Sequence, residues 1–182
     1  MSPAKSSAAG PSTAQPSRSI ARLLLEDFLP YRLNRAAASS STQLSRIYRG
    51  AFGLTIPEWR VLATLGQFGE ATATAIGRHS SMHKTKVSRA VAALQSRRWL
   101  ERRRDDGDRR VEHLRLTGAG RAAYRRLVPQ MLAYENGLLD RLTGAERRAL
   151  MTGLAAMERA LEAIAAEAEP GQPLWPDSGP ET

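Results

Sequence analysis

The 182-residue sequence contains no cysteine, which excludes disulfide bonds, thiol-based redox sensing and zinc sites with cysteine ligands. No stretch approaches the roughly 18 consecutive apolar residues that a membrane span needs. The first 19 residues lack the apolar segment of a secretory signal peptide. The sequence therefore predicts a cytoplasmic protein that does not enter a membrane.

The motifs of common enzyme classes are also missing. There is no glycine-rich phosphate-binding loop, no nucleophile elbow and no His-Glu-x-x-His pattern. Asp105, Asp106 and Asp108 could suggest a carboxylate site, but they lie in a predicted turn surrounded by arginines. We therefore expect no enzymatic activity.

The histidines do not predict a metal site. His79 and His83 have the i, i+4 spacing of helical metal ligands, but Ser80 and Ser81 indicate a helix break between them. His113 lies elsewhere, and no acidic third ligand is near the pair. We expect no metal ion and no other cofactor.

Positive charge is concentrated in one part of the chain. The formal net charge is +9, and the segment from Arg78 to Arg110 holds eleven Lys or Arg against four Asp or Glu. A basic patch of this kind is typical of proteins that bind the phosphate backbone of nucleic acids.

Within this patch, the sequence predicts a helix followed directly by a two-stranded hairpin. Ser80 and Ser81 indicate the helix start, and a shorter helix that begins at Thr72 or Thr74 and ends near His79 precedes it. Two helices followed by a basic hairpin are typical of a winged helix-turn-helix. The predicted elements are a helix over His83–Arg97, a strand over Trp99–Arg104, a turn over 105–108 and a strand over Arg110–Leu116.

The helix over His83–Arg97 has one apolar side and one polar side. At 3.6 residues per turn, Val87, Val91 and Leu94 fall together, beside Ala90, and should pack inward. Small or hydrogen-bonding side chains on the opposite side would let the helix enter a major groove and read base edges. The expected major-groove residues are Thr85, Lys86, Ser88, Arg89 and Ala92.

The start of this helix carries cations where the helix dipole disfavours them. His83 and Lys84 would suit a helix N-terminus that meets phosphates, and we expect both to contact the DNA backbone. The alternative is a solvated basic face without a ligand.

Arginines flank the predicted turn of the hairpin, and Gly107 supplies the turn geometry. A hairpin tip with this composition can insert arginine into a narrow minor groove. Asp108 is close enough in sequence to hold the Arg110 guanidinium by paired hydrogen bonds. The expected phosphate contacts are Arg102 and Arg104, and the expected minor-groove residues are Asp108, Arg109 and Arg110.

The hairpin resembles the wing of the MarR family, whose members are dimeric winged-helix regulators of bacteria and archaea. The resemblance extends over Phe28–Ile164. One difference is Arg98, where the family usually has Gly; this position often needs a positive φ, so we expect a strained or reshaped turn. The similar motifs are Trp99-Leu100-Glu101-Arg102, Asp108-Arg109-Arg110, Leu114-Arg115-Leu116-Thr117 with Gly120, and Val87-Ser88-Arg89 in the recognition helix.

Further helices are predicted on both sides of this region. A first helix runs from Ile20 to about Arg49 with a bend at Pro30, and Thr117 can cap a helix that ends near Arg141. Two capping boxes, Thr55-Ile56-Pro57-Glu58 and Thr143-Gly144-Ala145-Glu146, start a short helix over Pro57–Leu65 and the last helix.

The last helix carries an apolar seam at alternating spacings of four and three residues. Such a seam predicts pairing with a second copy of the chain. The alternative is packing against the Ile20–Phe28 segment of the same chain. The seam residues are Leu150, Leu154, Met157, Leu161 and Ile164.

The predicted fold is mainly α with a small β-hairpin wing (α+β), a winged helix-turn-helix with N- and C-terminal dimerisation helices. The expected segments are a disordered tail over 1–19, a dimerisation helix over 20–50, a DNA-binding lobe over 54–116, C-terminal dimerisation helices over 117–168 and a disordered tail over 169–182.

These elements predict a transcriptional regulator that binds double-stranded DNA. The resemblance implies a homodimeric repressor that a small molecule releases from a pseudo-palindromic operator. Ser39, Gln43 and Arg46 share a side of the first helix, and with Trp59 they would suit an aromatic carboxylate. Two alternatives stay open: Arg46 and Trp59 are ordinary surface and core residues, or the protein is a low-specificity architectural DNA-binding protein.

Overall fold

The computed structural model of this chain describes residues 22–104, 107 and 111–167. Over these ranges it confirms the mainly helical winged helix-turn-helix, and no helix there is both long and apolar enough to span a bilayer. The elements are α1 (Leu29–Phe52), α2 (Ile56–Phe68), β1 (Glu70–Thr72), α3 (Ala73–Ser80), α4 (Lys84–Ser96), β2 (Leu100–Arg104), β3 (Glu112–Leu116), α5 (Gly118–Leu139) and α6 (Gly144–Glu167).

The chain divides into two units within α1, after Ser40. In the first unit a turn precedes α1, and the Asp27 N–H donates to the Leu24 carbonyl at 3.1 Å. The prediction of a helix from Ile20 was therefore wrong over residues 22–28. Pro30 lies in the first turn of α1, where its missing N–H removes no helical hydrogen bond, so it marks the helix start and not a bend.

Both predicted capping boxes are present. The Thr55 N–H donates to Glu58 Oε2 at 2.8 Å, and the Glu58 N–H donates to Thr55 Oγ1 at 3.4 Å. At the start of α6, the Thr143 N–H donates to Glu146 Oε2 at 2.8 Å. Hydrogen bonds from the Thr143 side chain and backbone hold the pKa of Glu146 below its usual value, because they favour the charged carboxylate.

The wing strands belong to an antiparallel sheet with the order β1-β3-β2. The sequence did not predict β1, which has only three residues and pairs with β3. In the wing, Arg102 lies opposite Leu114 and Arg104 lies opposite Glu112. Within the described residues β3 begins at Glu112, whereas Arg110, the predicted start, lies outside them.

The core of the second unit lies where α2, α3 and α4 meet the sheet. Leu62 of α2 and Ile76 of α3 are fully buried there. Val87, Val91 and Leu94 of α4 are at most 1% exposed, which confirms the predicted inward side of this helix. Each such burial stabilises the fold by about 1.5–3 kcal/mol, so the core fixes α4 and leaves its opposite side in solvent.

The last helix has a different environment. Over Gly144–Glu167, α6 has no buried residue, and Leu150, Leu154 and Leu161 of the seam are 42%, 37% and 58% exposed. Large apolar side chains that share one exposed face indicate a surface that another molecule covers. The predicted disordered tails, 1–19 and 169–182, lie outside the described residues.

Candidate nucleic-acid interface

The outer side of α4 carries the residues that the sequence predicts in the major groove. Packing of Val87 and Val91 in the core turns the other side of this amphipathic helix to solvent. Three of the outer side chains are small, so a helix can approach base edges closely, and two are cations that can donate to guanine acceptors. All five are exposed: Thr85, Lys86, Ser88, Arg89 and Ala92.

The N-terminus of α4 is basic and lacks a side-chain cap. His83 occupies the N-cap position but makes no side-chain capping hydrogen bond, and Lys84 follows in a first turn without acids. The first amides of a helix have no intrahelical partner, so they can donate to a phosphate here. The prediction that Ser80 and Ser81 start this helix was wrong: Ser80 ends α3, and Ser81 follows it with φ +52°.

A residue in the left-handed conformation joins α4 to the wing. Arg98 has φ +56°, the positive value expected at this position. Its N–H donates to the Gln95 carbonyl at 2.8 Å, and the Trp99 N–H donates to the Leu94 carbonyl at 2.9 Å. These two bonds end the helix and turn the chain directly into β2.

The Leu-Thr-x-x-Gly motif fixes the base of the wing. Thr117 Oγ1 accepts from the Gly120 N–H at 3.2 Å, which caps α5, and the same hydroxyl donates to the Arg98 carbonyl at 2.7 Å. Gly120 packs directly on the Trp99 carbonyl, and a Cβ at this position would collide with that oxygen. The motif therefore holds the start of β2 against α5.

One of the two arginines predicted to contact phosphate already has protein partners. Arg102 Nη1 lies 2.6 Å from Glu112 Oε2, and Arg102 Nε donates to Gln95 Oε1 at 3.1 Å. The pair with Glu112 is half exposed, with 42% and 43% of the two side chains accessible. Arg103 and Arg104 are exposed, whereas the predicted tip residues Asp108, Arg109 and Arg110 lie outside the described residues.

The end of α4 is tied to the end of α1 within the second unit. Arg97 Nη1 donates to the Phe52 carbonyl at 2.7 Å, and Nη2 donates to the Gly53 carbonyl at 3.2 Å. The Arg97 guanidinium also lies 5.6 Å from the centre of the Trp99 ring. The sequence did not predict this contact, because the partners are far apart in the chain.

Trp59, the aromatic residue of the predicted effector site, packs between two tyrosines. Its ring stacks on Tyr48 with a centroid distance of 5.6 Å and on Tyr124 at 6.5 Å. A cavity of about 380 Å³ beside Trp59 is lined by α2 and the end of α3, with Arg60 as its cation. The other predicted effector residues, Ser39, Gln43 and Arg46, are exposed on α1 and do not line this cavity.

Two of the histidines have other partners. His79 packs edge-on against Phe68 at 4.9 Å, and His113 Nδ1 lies 3.3 Å from Glu70 Oε1. In the part of the chain that the structure describes, no group of three or more His, Cys, Asp or Glu could hold a metal ion.

Open grooves lie on both sides of α4. A groove of about 660 Å³ is lined by residues of α4, α3 and the sheet, and Arg78 of α3 is one of its cations. A second groove of about 390 Å³ lies between α4 and the start of α2, lined in part by Lys86 and Arg89. The recognition helix therefore forms a ridge. Arg78 belongs to the basic patch of the sequence, but its position beside α4 depends on how α3 packs and could not be predicted from sequence.

The chain is similar to known regulators in sequence and in fold. It matches the model of the MarR family over residues 52–111. A MarR family transcriptional regulator from Silicibacter pomeroyi is 33% identical, with 75% of this chain and 99% of that chain covered and a TM-score of 0.63. No match was found among curated proteins.

Two further solved structures share the fold at lower identity. Streptococcus pneumoniae FabT, solved in complex with DNA, is 24% identical over 73% of this chain and 97% of that chain, with a TM-score of 0.60. Bordetella bronchiseptica BpsR, whose DNA binding is regulated by 6-hydroxynicotinic acid, is 21% identical over 82% and 100%, with a TM-score of 0.66. With the winged helix-turn-helix in place and one-third identity over nearly all of a known member, this chain belongs to the MarR family of transcriptional regulators.

Proposed function

We propose that this protein is a homodimeric repressor that binds a pseudo-palindromic operator. In each copy α4 enters the major groove, and the wing reaches the adjacent minor groove. The observation that supports this most is the exposed side of α4, with Ser88 and Arg89 at its centre, beside an uncapped and acid-free helix N-terminus. FabT, which has the same fold, was solved in complex with DNA.

The exposed seam of α6 supports the proposal that two copies of the chain pair. A twofold dimer presents two α4 helices, so the half-sites should be one helical turn, about 34–36 Å, apart. Specificity would come from the outer side of α4, and salt-dependent affinity from the basic patch.

A DNA-binding titration tests this proposal. The protein is titrated with the DNA upstream of its own gene and with a random duplex, each at two salt concentrations. A specific repressor should prefer the upstream DNA about 1,000-fold or more. Equal affinities with the same steep salt dependence would instead indicate an architectural DNA-binding protein.

Arg89→Ala sharpens this test because it removes one cation from the reading side of α4. It should abolish the preference for the operator. The matched control is Arg159→Ala, which removes the same charge from an exposed position of α6 off the seam, and it should preserve the preference. Equal loss of affinity for both duplexes with Arg89→Ala would contradict specific readout.

We also propose that a small aromatic acid releases the repressor. Arg46 would pair with the carboxylate, and Gln43 and the partly exposed Trp59 of the same unit would complete the site. Binding would favour a spacing of the two recognition helices that does not fit DNA. BpsR has a related fold, and its DNA binding is regulated by 6-hydroxynicotinic acid, which is a small aromatic acid.

The probe for this proposal is 6-hydroxynicotinate, added to the protein–operator complex. Release of the DNA by wild type and by Arg49→Ala, but not by Arg46→Ala, would support the site, since both arginines are exposed on α1. Equal release from all three proteins would place the ligand elsewhere.

A further inference from the structure

Arg102 occupies a special place in the wing. Residues alternate between the two faces of a strand, so Arg102 shares a face with the buried Leu100 and not with the exposed Glu101. Its partner in the register is Leu114, which is 1% exposed. The Arg102 side chain therefore leaves β2 on the side that faces the core and α4.

Its guanidinium joins three elements. Nε donates to the Gln95 side chain in the last turn of α4, and Nη1 pairs with Glu112 of β3 at 2.6 Å. An arginine held at two of its nitrogens is fixed in orientation, because the planar fork leaves little freedom. The carboxylate also neutralises the charge that a phosphate contact would use.

The Arg102–Gln95 bond spans the left-handed joint at Arg98. Thr117 and Gly120 hold the start of β2 at this joint, and the Arg102–Gln95 bond links α4 to a point farther along the strand. From Arg102 to Arg104, the last residue of β2, the strand extends about 7 Å, at roughly 3.3 Å per residue. A tilt of about 10° at Arg102 would move Arg104 by about 1 Å, which is enough to lengthen a hydrogen bond beyond its usual range.

We propose that Arg102 is a positioning residue: through Gln95 and Glu112 it sets the angle of the wing to the recognition helix, so that both enter their grooves together. This inference rests on the proposed DNA-binding function. It differs from the role that the sequence suggested, a contact between Arg102 and phosphate.

Glu112→Gln separates the two roles, because they predict opposite signs. If Arg102 contacts phosphate, removing its acidic partner should tighten binding to any DNA. If Arg102 positions the wing, Glu112→Gln should weaken operator binding by about fivefold or more and leave binding to a random duplex within about twofold. Glu101→Gln is the matched control: it removes the same charge from the other face of β2, where Glu101 pairs with Arg115, and it should not weaken operator binding.

Arg102→Lys supplies a second discriminator. A phosphate contact tolerates lysine, because the charge is kept, and Arg102→Ala would lower the salt slope by about one. A positioning role does not tolerate lysine, which lacks the second nitrogen needed to reach Gln95 and Glu112 together. We therefore expect Arg102→Lys to bind the operator as weakly as Arg102→Ala does. Because lysine keeps the positive charge, the salt dependence of Arg102→Lys should equal that of the wild type. Near wild-type binding by Arg102→Lys would overturn the proposal.

A measurement without DNA keeps this inference separate from the proposed function. Hydrogen exchange of the free protein should show faster exchange of the β2 and β3 amides in Gln95→Ala and Glu112→Gln than in wild type and Glu101→Gln. Unchanged exchange in Gln95→Ala and Glu112→Gln would overturn the positioning role of Arg102, even if the wild type prefers its operator. If these two variants exchange faster but the wild type shows no operator preference, the positioning role of Arg102 is supported and the proposed repressor function is rejected.

Discussion

Arg98 stores backbone strain at the joint between α4 and β2. A residue with a side chain at φ +56° costs about 1–2 kcal/mol, which glycine avoids. Arg98→Gly should therefore raise the free energy of unfolding by about 1 kcal/mol, and the melting temperature by about 2–4 °C. Thermal denaturation measures this change.

The matched control for this prediction is Arg98→Ala. It removes the same exposed charge but keeps a Cβ in the left-handed conformation, so it should not raise the melting temperature. Equal melting temperatures for the Gly and Ala variants would show that the joint is not strained.

Tyr48 should make the free energy of unfolding depend on pH in the alkaline range. Burial raises the pKa of its phenol above the ordinary 10.0, and the positive charges of Arg60 and Arg49 lower it only in part. The folded state therefore favours the neutral phenol, so this stability is present below pH 10 and is lost as the pH rises through the folded-state pKa. As the pH rises from 9 to about 11, the free energy of unfolding measured by denaturant titration should fall less for Tyr48→Phe than for wild type. Tyr31→Phe, which removes an exposed phenol hydroxyl instead of a buried one, is the control variant.

Single residues were predictable from sequence where a local period decides their direction. The period of α4 gave the buried Val87 and Val91 and the exposed Arg89 correctly. The partners of Arg97 and Arg102 could not be predicted, since they depend on how α1, α4 and the wing meet. From its charge alone, Arg102 could not be distinguished from the other arginines of the basic patch.

At the scale of elements, α2 and α5 meet at a glycine. Gly66 lies inside α2, which continues past the predicted end at Leu65. A Cβ on Gly66 would lie 2.6 Å from the Tyr124 ring, which is itself stacked on Trp59. Gly66→Ala should therefore lower the free energy of unfolding by about 1–3 kcal/mol, as overpacking does.

Gly50→Ala is the matched control for this packing. Gly50 lies in α1 with nothing within 4 Å of an added Cβ, so alanine should stabilise the helix by about 0.5–1 kcal/mol. Chemical denaturation should thus move in opposite directions for the two variants. A stabilised Gly66→Ala protein would show that α5 yields to the new methyl group.

Elements with strong end signals were predicted well, and elements defined by distant partners were not. The boxes at Thr55 and Thr143 start α2 and α6 as expected, because each satisfies its own helix end. β1 has three residues and exists through its pairing with β3, so no local pattern announces it. The apolar residues before Pro30 suggested an earlier start of α1, but apolar spacing over two turns does not by itself form a helix.

At the scale of the whole molecule, the seam of α6 should control assembly. Leu154 is 37% exposed in a helix with no buried residue, and we propose that a second copy covers it. Leu154→Asp would bury a charge in that interface, so it should shift the protein from dimer to monomer at micromolar concentration. It should also weaken operator binding, because two half-sites would no longer be bound together. Sedimentation measures the first effect and a DNA titration the second.

Thr152→Asp is the control for assembly. Thr152 is exposed on the side of α6 opposite the seam, so this variant should remain dimeric. A dimeric Leu154→Asp protein would show that the copies meet through another surface.

The contact between Gly120 and the Trp99 carbonyl sets the limits within which this scaffold can evolve. Any side chain at position 120 would displace the start of the wing, whereas Thr85, Ser88 and Ala92 face solvent and constrain nothing in the fold. Substitutions on α4 can therefore change the operator that is bound, while the contact that holds the start of the wing stays the same. In a library that randomises 85, 88 and 120 and is selected on a foreign operator, survivors should diverge at the first two positions and keep glycine at the third.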